Sequence, residues 1–286
     1  PFKDLRAELL RVINNDRTEA GLAPVEFDET LSKVADAHCT EMGEAGFIGH
    51  LSLNGHAPFH RYFFAASCKD HVLENVYGTN AGDGEVYDTS EPSLQTFSFD
   101  GHATMMTSEP PHDQARRHAL GAAHTHVGIG LYLDKKRFRM VEVFVDRYVE
   151  LLGDTAGGPG PAPGFDLTTD ETFLYAKCTK PGFGVLACVV FYEPPPAPLT
   201  AEEANGITAY DDFSPERVAV VWPWEMERLA DGVVHIPIFF NAVQRGLYYT
   251  QVLVREDVDS IPYGGPSEDL DITSPDVVPA TGIVLQ

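Results

Sequence analysis

The sequence of 286 residues has few basic side chains and no long apolar run. It contains 20 lysine and arginine residues against 43 aspartate and glutamate residues, which gives a net charge of −23. Binding to nucleic acid needs a concentration of cationic side chains, and an anionic membrane surface repels an acidic protein, so both partners are disfavoured. Because no stretch of about 18 apolar residues occurs, the sequence predicts that the chain is not a transmembrane protein.

Cysteine is also scarce, with four residues and no Cys-x-x-Cys spacing, which disfavours a zinc ribbon or a thioredoxin-type redox centre. Cys178 and Cys188 flank a turn-rich stretch between two β-rich runs, so we expect a disulfide across a hairpin. Cys39 and Cys68 are the second expected pair. The alternative for all four residues is a set of buried free thiols.

Glycine and proline dominate one internal segment, residues 153–164. Such a composition holds neither a helix nor a ladder strand. The segment is therefore interpreted as a linker between a first domain at residues 1–152 and a second domain at residues 165–286. Each of these parts is long enough to bury its own core.

Helical periodicity is confined to the first domain. Apolar residues recur at helical spacing over residues 5–13 and again over residues 31–42, where Asp28 offers an N-cap. A third, short helix is predicted after Pro58, a favourable residue in a first turn. The polar stretch at residues 79–98 is predicted to be irregular.

Strands are predicted in both domains. Residues 127–133 and 138–149 have two apolar faces, which is typical of strands covered by helices on both sides. In the second domain, β-rich runs span residues 173–178, 185–192, 218–222, 233–240, 246–254 and 281–285. The predicted fold class is α+β: an α-β-α sandwich followed by an antiparallel β-sandwich of the immunoglobulin-like kind.

The residues that carry chemistry cluster in the first domain, because ten of the eleven histidines lie between His38 and His126. Four short segments follow one another in a fixed order: Gly49–Ser52, Leu73–Gly78, Ser108–His112 and His126–Leu133. Together they place two imidazoles and a carboxylate in loops ahead of an apolar strand. This arrangement predicts a polar cleft.

With these segments in place, residues 5–149 resemble the CAP superfamily, also called the SCP domain. That superfamily includes cysteine-rich secretory proteins, venom allergens and plant pathogenesis-related proteins. The blocks Asn14–Val25, Gly46–His50 and Glu74–Gly78 carry the resemblance, which is closest to the bacterial-type branch. The resemblance implies an α-β-α sandwich whose cleft is formed by histidines and acids.

Carried over residue by residue, the resemblance assigns the first cleft histidine to His50 and the glutamate of the Glu-Asn motif to Glu74. It assigns the second histidine to His112, although that block departs from the family pattern because Pro111 stands where glycine is usual. Glu109 is a candidate for the second acid that longer family members contain.

Two imidazoles and a carboxylate suffice to bind zinc or another divalent metal with an open coordination position. Without metal, the same cluster is a hydrogen-bonded network that fixes the loops around the cleft. The resemblance favours a non-enzymatic extracellular protein that binds a lipid, a sterol or another small ligand, or another extracellular protein. The alternatives are a metal-dependent hydrolase that uses the His/Glu cluster, and a structural module of an extracellular or surface assembly.

Three further features carry expectations of their own. The sequence opens at Pro1 without an apolar leader, so we expect a mature or trimmed extracellular or cell-surface form whose targeting segment lies outside this sequence. His38, on the apolar stripe of the second helix, is expected to be a satisfied core histidine. Trp222-Pro223-Trp224 is interpreted as core or edge packing, with a carbohydrate-stacking platform as the alternative.

Overall fold

The computed structural model describes residues 2–152, 172–207, 216–238, 246–258 and 270–285. The helices are α1 (Lys3–Glu19), α2 (Glu29–Ala45), α3 (Pro58–Ala66), α4 (Glu91–Thr107), α5 (Gln114–Ala119) and α6 (Ala201–Gly206). The strands are β1 (Glu26–Phe27), β2 (His71–Asn80), β3 (His126–Leu133), β4 (Arg137–Asp146), β5 (Val149–Leu152), β6 (Thr172–Cys178), β7 (Phe183–Glu193), β8 (Glu216–Val221), β9 (Glu227–Arg228), β10 (Val233–Ile238), β11 (Leu247–Glu256), β12 (Val278–Pro279) and β13 (Ile283–Leu285). None of the helices in these ranges combines the length and the apolar character that a membrane crossing requires.

The chain divides into two compact units, and each unit draws on more than one stretch of sequence. The first unit takes in residues 1–66, 72–145 and 197–214. The second takes in residues 67–71, 146–196 and 215–286. The two units therefore do not follow one another along the chain, because each is assembled from separate stretches of sequence.

The first unit is a sheet in the order β1-β3-β4-β2 with helices on both faces. One face packs against α1 and α4, with Leu9, Met105 and Phe144 in a single apolar cluster. The other face packs against α2, with Ala35 and Val141 in a second cluster. Strand β1 runs parallel to β3, and β4 pairs antiparallel with β3. The predicted α-β-α sandwich is confirmed.

Glycines in β3 let α2 approach the sheet closely. Gly128 and Gly130 alternate with Ile129, which faces α1 and α4. A Cβ atom added to Gly130 would lie 2.4 Å from the backbone carbon of Ala35, and one added to Gly128 would lie 2.5 Å from the Leu31 side chain. The backbones of α2 and β3 are therefore in contact where a side chain would separate them.

Replacing Gly130 by alanine is expected to destabilise the first unit by about 2 kcal/mol, because overpacking a rigid backbone contact forces the helix away from the sheet. Lys33→Ala, on the exposed face of the same helix, is the control, since its ion pair with Glu29 is solvent-exposed. Urea unfolding followed by helical circular dichroism measures both variants. Equal stability of the two variants would contradict the close packing.

Helix α2 begins as predicted, because the Asp28 carboxylate accepts a hydrogen bond from the Leu31 backbone N–H at 2.9 Å. It ends at Ala45, and Gly46 follows as a left-handed C-cap with a φ of 83°. Helix α3 begins at Pro58, also as predicted.

The prediction of irregular structure over residues 79–98 is wrong at both ends, because β2 continues to Asn80 and α4 begins at Glu91. The buried stripe of α4 carries Ser98, Gly101 and His102 between Leu94 and Met105. Because the middle of that stripe is not apolar, the sequence lacks the hydrophobic period by which a helix is recognised.

The second unit contains two sheets in the orders β5-β6-β10-β9 and β12-β11-β7-β8, with β13 also pairing with β11. The described strand pairs of these sheets, such as β6 with β10 and β7 with β11, are antiparallel. The predicted antiparallel sheets of the second part of the chain are therefore confirmed. Strand β5 pairs with β6 and lies in the second unit, although the domain prediction grouped it with the first. The predicted linker at residues 153–164 lies outside the described residues and stays a prediction.

The predicted disulfides are wrong, because all four cysteines are free thiols. Cys178 ends β6, whereas Cys188 lies in β7, and these strands belong to different sheets instead of forming a hairpin. Burial raises the pKa of the Cys188 thiol to about 12 and that of the Cys68 thiol to about 12. Cys39 is fully buried in the core of the first unit. These buried thiols act as small apolar side chains.

Candidate functional site

Glu74 is the centre of the candidate site. It lies on β2, the edge strand of the first unit's sheet, and its side chain meets residues of α3 and of the loop after α2. Successive side chains of a strand point to opposite faces, so Glu74 and Asn75 face different layers of the sandwich. The Glu-Asn motif therefore links two separate groups of residues.

Both carboxylate oxygens of Glu74 are hydrogen-bonded. Arg61 Nη2 donates to Oε2 at 2.6 Å, the Tyr62 hydroxyl donates to the same oxygen at 3.3 Å, and His50 Nδ1 donates to Oε1 at 3.2 Å. Arg61 Nη1 also donates to the His50 carbonyl oxygen at 3.1 Å and to Ser52 Oγ at 2.9 Å. One guanidinium group thus holds both the carboxylate and the loop that carries His50.

The Glu74 side chain is fully buried. Burial by itself raises the pKa of a carboxyl group, but the charge of Arg61 and the hydrogen bond from His50 outweigh burial and lower the pKa of Glu74 to about 2. Glu74 is therefore ionised throughout the physiological range, and its charge is balanced inside the protein. We call His50, Arg61, Tyr62 and Glu74 the Glu74 network.

The loop that carries His50 is held from α2 as well. His38 Nε2 donates to the Gly49 carbonyl oxygen at 2.9 Å, and the Leu53 backbone N–H donates to Glu41 Oε1 at 3.1 Å. Burial lowers the pKa of His38, with a further contribution from the nearby Arg61 charge. The interpretation of His38 as a satisfied core histidine is confirmed.

The same loop is also fastened by a distant part of the sequence, residues 197–207, which we call the strap. Leu199 N–H donates to the Leu53 carbonyl oxygen at 2.8 Å, and Ile48 N–H donates to Asn205 Oδ1 at 3.0 Å. Ala204 is fully buried in the apolar cluster of α2. The strap therefore completes the core beneath the His50 loop.

Replacing Gly49 by alanine is expected to detach the strap, because the new Cβ atom would lie 2.6 Å from the Ala204 carbonyl oxygen. Limited proteolysis should then cleave within residues 197–207 at least about tenfold faster than in the parent chain. The control is Gly206→Ala. Gly206 lies in α6, the helix that carries Ala204, and a Cβ atom added there meets nothing within 4 Å. Unchanged protection in Gly49→Ala would show that the strap does not depend on this contact.

The structure does not bring His112 or Glu109 to the Glu74 network. Both side chains are exposed in the turn between α4 and α5, where the His112 N–H donates to the Glu109 carbonyl oxygen at 2.8 Å. Among the described residues, no group of three or more histidine, cysteine, aspartate or glutamate side chains is placed to hold a metal ion. Of the predicted cluster, only His50 and Glu74 are in contact.

The Glu74 network does not fit a divalent metal. A zinc site with an open position takes three protein ligands, and here the carboxylate oxygens already accept hydrogen bonds from three side chains. The Arg61 guanidinium, 2.6 Å from Glu74, supplies the positive charge that a metal would bring. A second cation beside it would be repelled.

His118, and not His112, contacts the Glu-Asn motif, and it does so through Asn75 on the other face of β2. His118 Nδ1 donates to Asn75 Oδ1 at 3.1 Å, and Asn75 Nδ2 donates to the Ala115 carbonyl oxygen at 2.8 Å. The α5 helix is thereby tied to the Glu-Asn motif. Little in the sequence indicated a role for His118, because this residue lies outside the blocks that resemble the family.

A second buried cluster, around His102, was also not predicted from the sequence. His102 Nδ1 donates to Glu142 Oε1 at 2.7 Å, and its Nε2 donates to Asp16 Oδ2 at 2.9 Å. Burial lowers the pKa of a histidine, but the two carboxylates outweigh it, above all Glu142, and raise the pKa of His102 to about 9. His102 is therefore an imidazolium whose two hydrogen bonds join α4 to α1 and β4.

Comparisons with known proteins agree with this architecture. The model of the cysteine-rich secretory protein family, CAP, matches residues 10–145. No curated protein matches the sequence.

Part of the chain is also similar to solved structures of proteins from several bacteria. An extracellular protein containing an SCP domain from Bacillus anthracis is 18% identical, covers 49% of this chain and 40% of its own, and has a TM-score of 0.39. An outer surface protein from Borrelia burgdorferi is 19% identical, covers 51% of this chain and 96% of its own, and has a TM-score of 0.39. A cysteine-rich secretory protein from Staphylococcus aureus is 15% identical, covers 51% of this chain and 40% of its own, and has a TM-score of 0.32. The chain thus spans less than half the length of the first and third of these proteins. Residues 10–145 form a domain of the CAP superfamily.

Proposed function

We propose that this chain is an extracellular, non-enzymatic binding protein, and that the Glu74 network shapes the cleft of its CAP domain without carrying out a reaction. The observation that carries the proposal is the state of Glu74, which is fully buried and hydrogen-bonded through both carboxylate oxygens. The description of the matching family as secretory supports the extracellular assignment.

A general base works best when its pKa lies near the pH at which the reaction takes place. The pKa of Glu74 is lowered to about 2 because Arg61 and His50 outweigh the effect of burial, so the carboxylate is a weak proton acceptor at neutral pH. This supports a binding role over the metal-dependent hydrolase. The network has the properties of a fixed scaffold for the His50 loop.

Within this proposal, the ligand is a small apolar or polar molecule, of the lipid or sterol class that the family resemblance suggests, or another extracellular protein. The loop from Gly49 to Leu53 is the part of the scaffold that would meet it, because the loop is held in one conformation from three sides: by Arg61, by α2 and by the strap. A pre-organised loop loses little conformational entropy when it binds.

The test compares binding with turnover in the full chain. A fluorescent sterol is titrated into the protein, and chromogenic carboxylic ester, phosphate ester and peptide substrates are assayed with added zinc and with a chelator. We expect saturable sterol binding that is weakened in a Gly49→Ala variant, and no turnover above background. Zinc-dependent turnover that is lost in Glu74→Gln would contradict the proposal and establish the hydrolase.

A further inference from the structure

The second unit contains a groove of about 500 Å³ between β8 and residues 270–273. Trp222 forms part of its wall, together with Arg217, Val218, Asp271 and Thr273. A volume of this size is typical of sites for small organic ligands. The wall combines one large aromatic surface with charged and hydroxyl-bearing side chains.

The aromatic part of the wall is Trp222, which stacks on Trp224, the other of the two tryptophans in the chain. The rings of Trp222 and Trp224 stack with their centroids 5.4 Å apart and an angle of 9° between their planes. The backbone N–H of Trp222 donates to Glu225 Oε2 at 2.8 Å, and Pro223 between the two rings is buried. Trp224 thus supports one face of the Trp222 ring, and the turn fixes its position.

Residues 270–273 contribute a pre-positioned hydrogen-bonding pair to the lining of the groove. Asp271 Oδ1 accepts hydrogen bonds from the Thr273 hydroxyl at 2.6 Å and from its backbone N–H at 2.8 Å. These hydrogen bonds lower the pKa of Asp271, so the group is an ionised acceptor. Arg217, on β8, adds a donor to the same groove.

A peptide strand is a poor occupant for this groove, even though β8 is the last strand of its sheet. In the pairing of β7 with β8, Val190 faces Ala219 and Phe191 faces Arg217, which leaves Val218 as an extra residue in a bulge. A bulge in an edge strand interrupts the row of backbone groups that an added strand would pair with.

The charge of the chain further narrows the ligand. Residues 153–286 contain 20 acidic and 6 basic residues, which gives a net charge of −14 for this part. Anionic ligands are therefore repelled over the range of the Debye length. A flat apolar surface beside fixed hydrogen-bonding groups suits a ligand that has an apolar face and polar edges, and that is not anionic.

We propose that this groove binds a neutral β-1,4-linked oligosaccharide, with one pyranose ring stacked on Trp222 and its hydroxyl groups hydrogen-bonded to Asp271 and Arg217. In β-1,4-linked glucose or N-acetylglucosamine the axial C–H bonds form a flat apolar face, which packs on an indole ring by dispersion and desolvation. The equatorial hydroxyl groups then point outward, toward the sides of the groove. The Trp222–Trp224 pair is the aromatic platform of this site.

The composition of the chain allows a selective measurement. Because Trp222 and Trp224 are the only tryptophans, tryptophan fluorescence reports on this groove alone. The full chain is titrated with cellotriose and with tri-N-acetylchitotriose, and in parallel with β-1,4-linked triglucuronic acid, which has the geometry of cellotriose but carries carboxylates. We expect a saturable change in emission with at least one neutral trisaccharide, and binding of the anionic sugar at least about tenfold weaker.

Variants separate the roles of the two rings. Trp222→Ala is expected to abolish binding measured by calorimetry, whereas Trp224→Phe, which keeps an aromatic support, should retain it within about threefold. If Trp222→Ala does not fold, Asp271→Asn serves in its place, with an expected loss of about tenfold. The proposal is overturned if neither neutral trisaccharide gives a saturable signal up to about 10 mM. It is equally overturned if a folded Trp222→Ala variant binds as tightly as the parent chain.

Discussion

Replacing Arg61 by methionine is expected to destabilise the first unit by about 3–5 kcal/mol at neutral pH, because it leaves the Glu74 carboxylate buried without its compensating charge. Methionine keeps much of the length and apolar volume of the arginine side chain, so the loss reflects charge and hydrogen bonding more than packing. Urea unfolding monitored by helical circular dichroism reports on the first unit, which contains all the helices described above.

Acid titration of the same variant gives an independent check. In the parent chain the pKa of Glu74 is lowered to about 2, below the usual value near ~4.3 of an unfolded chain. Glu74 therefore contributes stability that is fully present above about pH 4.3 and is lost as the pH falls through about 2. In Arg61→Met, the largest effect that opposes burial is lost and protonation of Glu74 relieves part of the cost, so the deficit should shrink on acidification. A deficit that is constant from pH 4 to pH 8 would contradict this account.

The double variant Arg61→Met/Glu74→Gln is the matched control for this prediction. It removes both charges, so no ion is left buried without a partner, and it should recover much of the stability that Arg61→Met loses. If the single and double variants were equally stable, the loss of stability in Arg61→Met would come from altered packing and not from an unbalanced buried charge.

Replacing His102 by glutamine is expected to cost roughly 3 kcal/mol at pH 6, because the imidazolium that balances Glu142 and Asp16 is removed. The pKa of His102 is raised to about 9 by these carboxylates against the effect of burial, compared with ~6.5 for an unfolded chain. The contribution is therefore fully present below about pH 6.5 and is lost as the pH rises through about 9.

Stability measured from pH 6 to pH 10 tests this window. The difference between the parent chain and His102→Gln should be largest near pH 6 and should narrow steadily toward pH 10. His112→Gln is the control, since this histidine is exposed in the turn before α5, and it should match the parent chain at every pH. A deficit in His102→Gln that widens with rising pH would refute the charged state of His102.

The sequence predicted the parts of the fold that depend on local patterns. Short runs with apolar residues on both faces located β3 and β4, and Asp28 marked the start of α2 through its cap. The contact between His50 and Glu74 followed from the resemblance of their two blocks to a family pattern. Each of these features depends on one or two short segments of consecutive residues.

The features that the sequence analysis missed depend on residues far apart in the chain. The strap reaches the His50 loop across more than a hundred residues, through the contact of Asn205 with Ile48, and no local pattern records such a contact. The partners of His102 come from α1 and β4. The disulfide prediction assumed that consecutive strands form a hairpin, whereas β6 and β7 join different sheets.

The second histidine was misplaced for a reason that strand geometry explains. Glu74 and Asn75 are neighbours in sequence, but they face opposite layers, so residues near one are separated from those near the other by the sheet. The α4–α5 region meets Asn75 through His118 and Ala115. A histidine in this region therefore completes the Asn75 side of the motif, and the Glu74 side is completed by Arg61.

The most direct measurement of the central claim is the pKa of Glu74 itself. Carbon-13 NMR of chain labelled at the glutamate carboxyl carbon, with the resonance assigned by its absence in Glu74→Gln, follows the ionisation of this one group. Our account predicts that Glu74 stays ionised as the pH is lowered and titrates only near about 2, because Arg61 and His50 stabilise its charge. A titration midpoint between about pH 5 and 8 would contradict the account, since it is the behaviour of a general base.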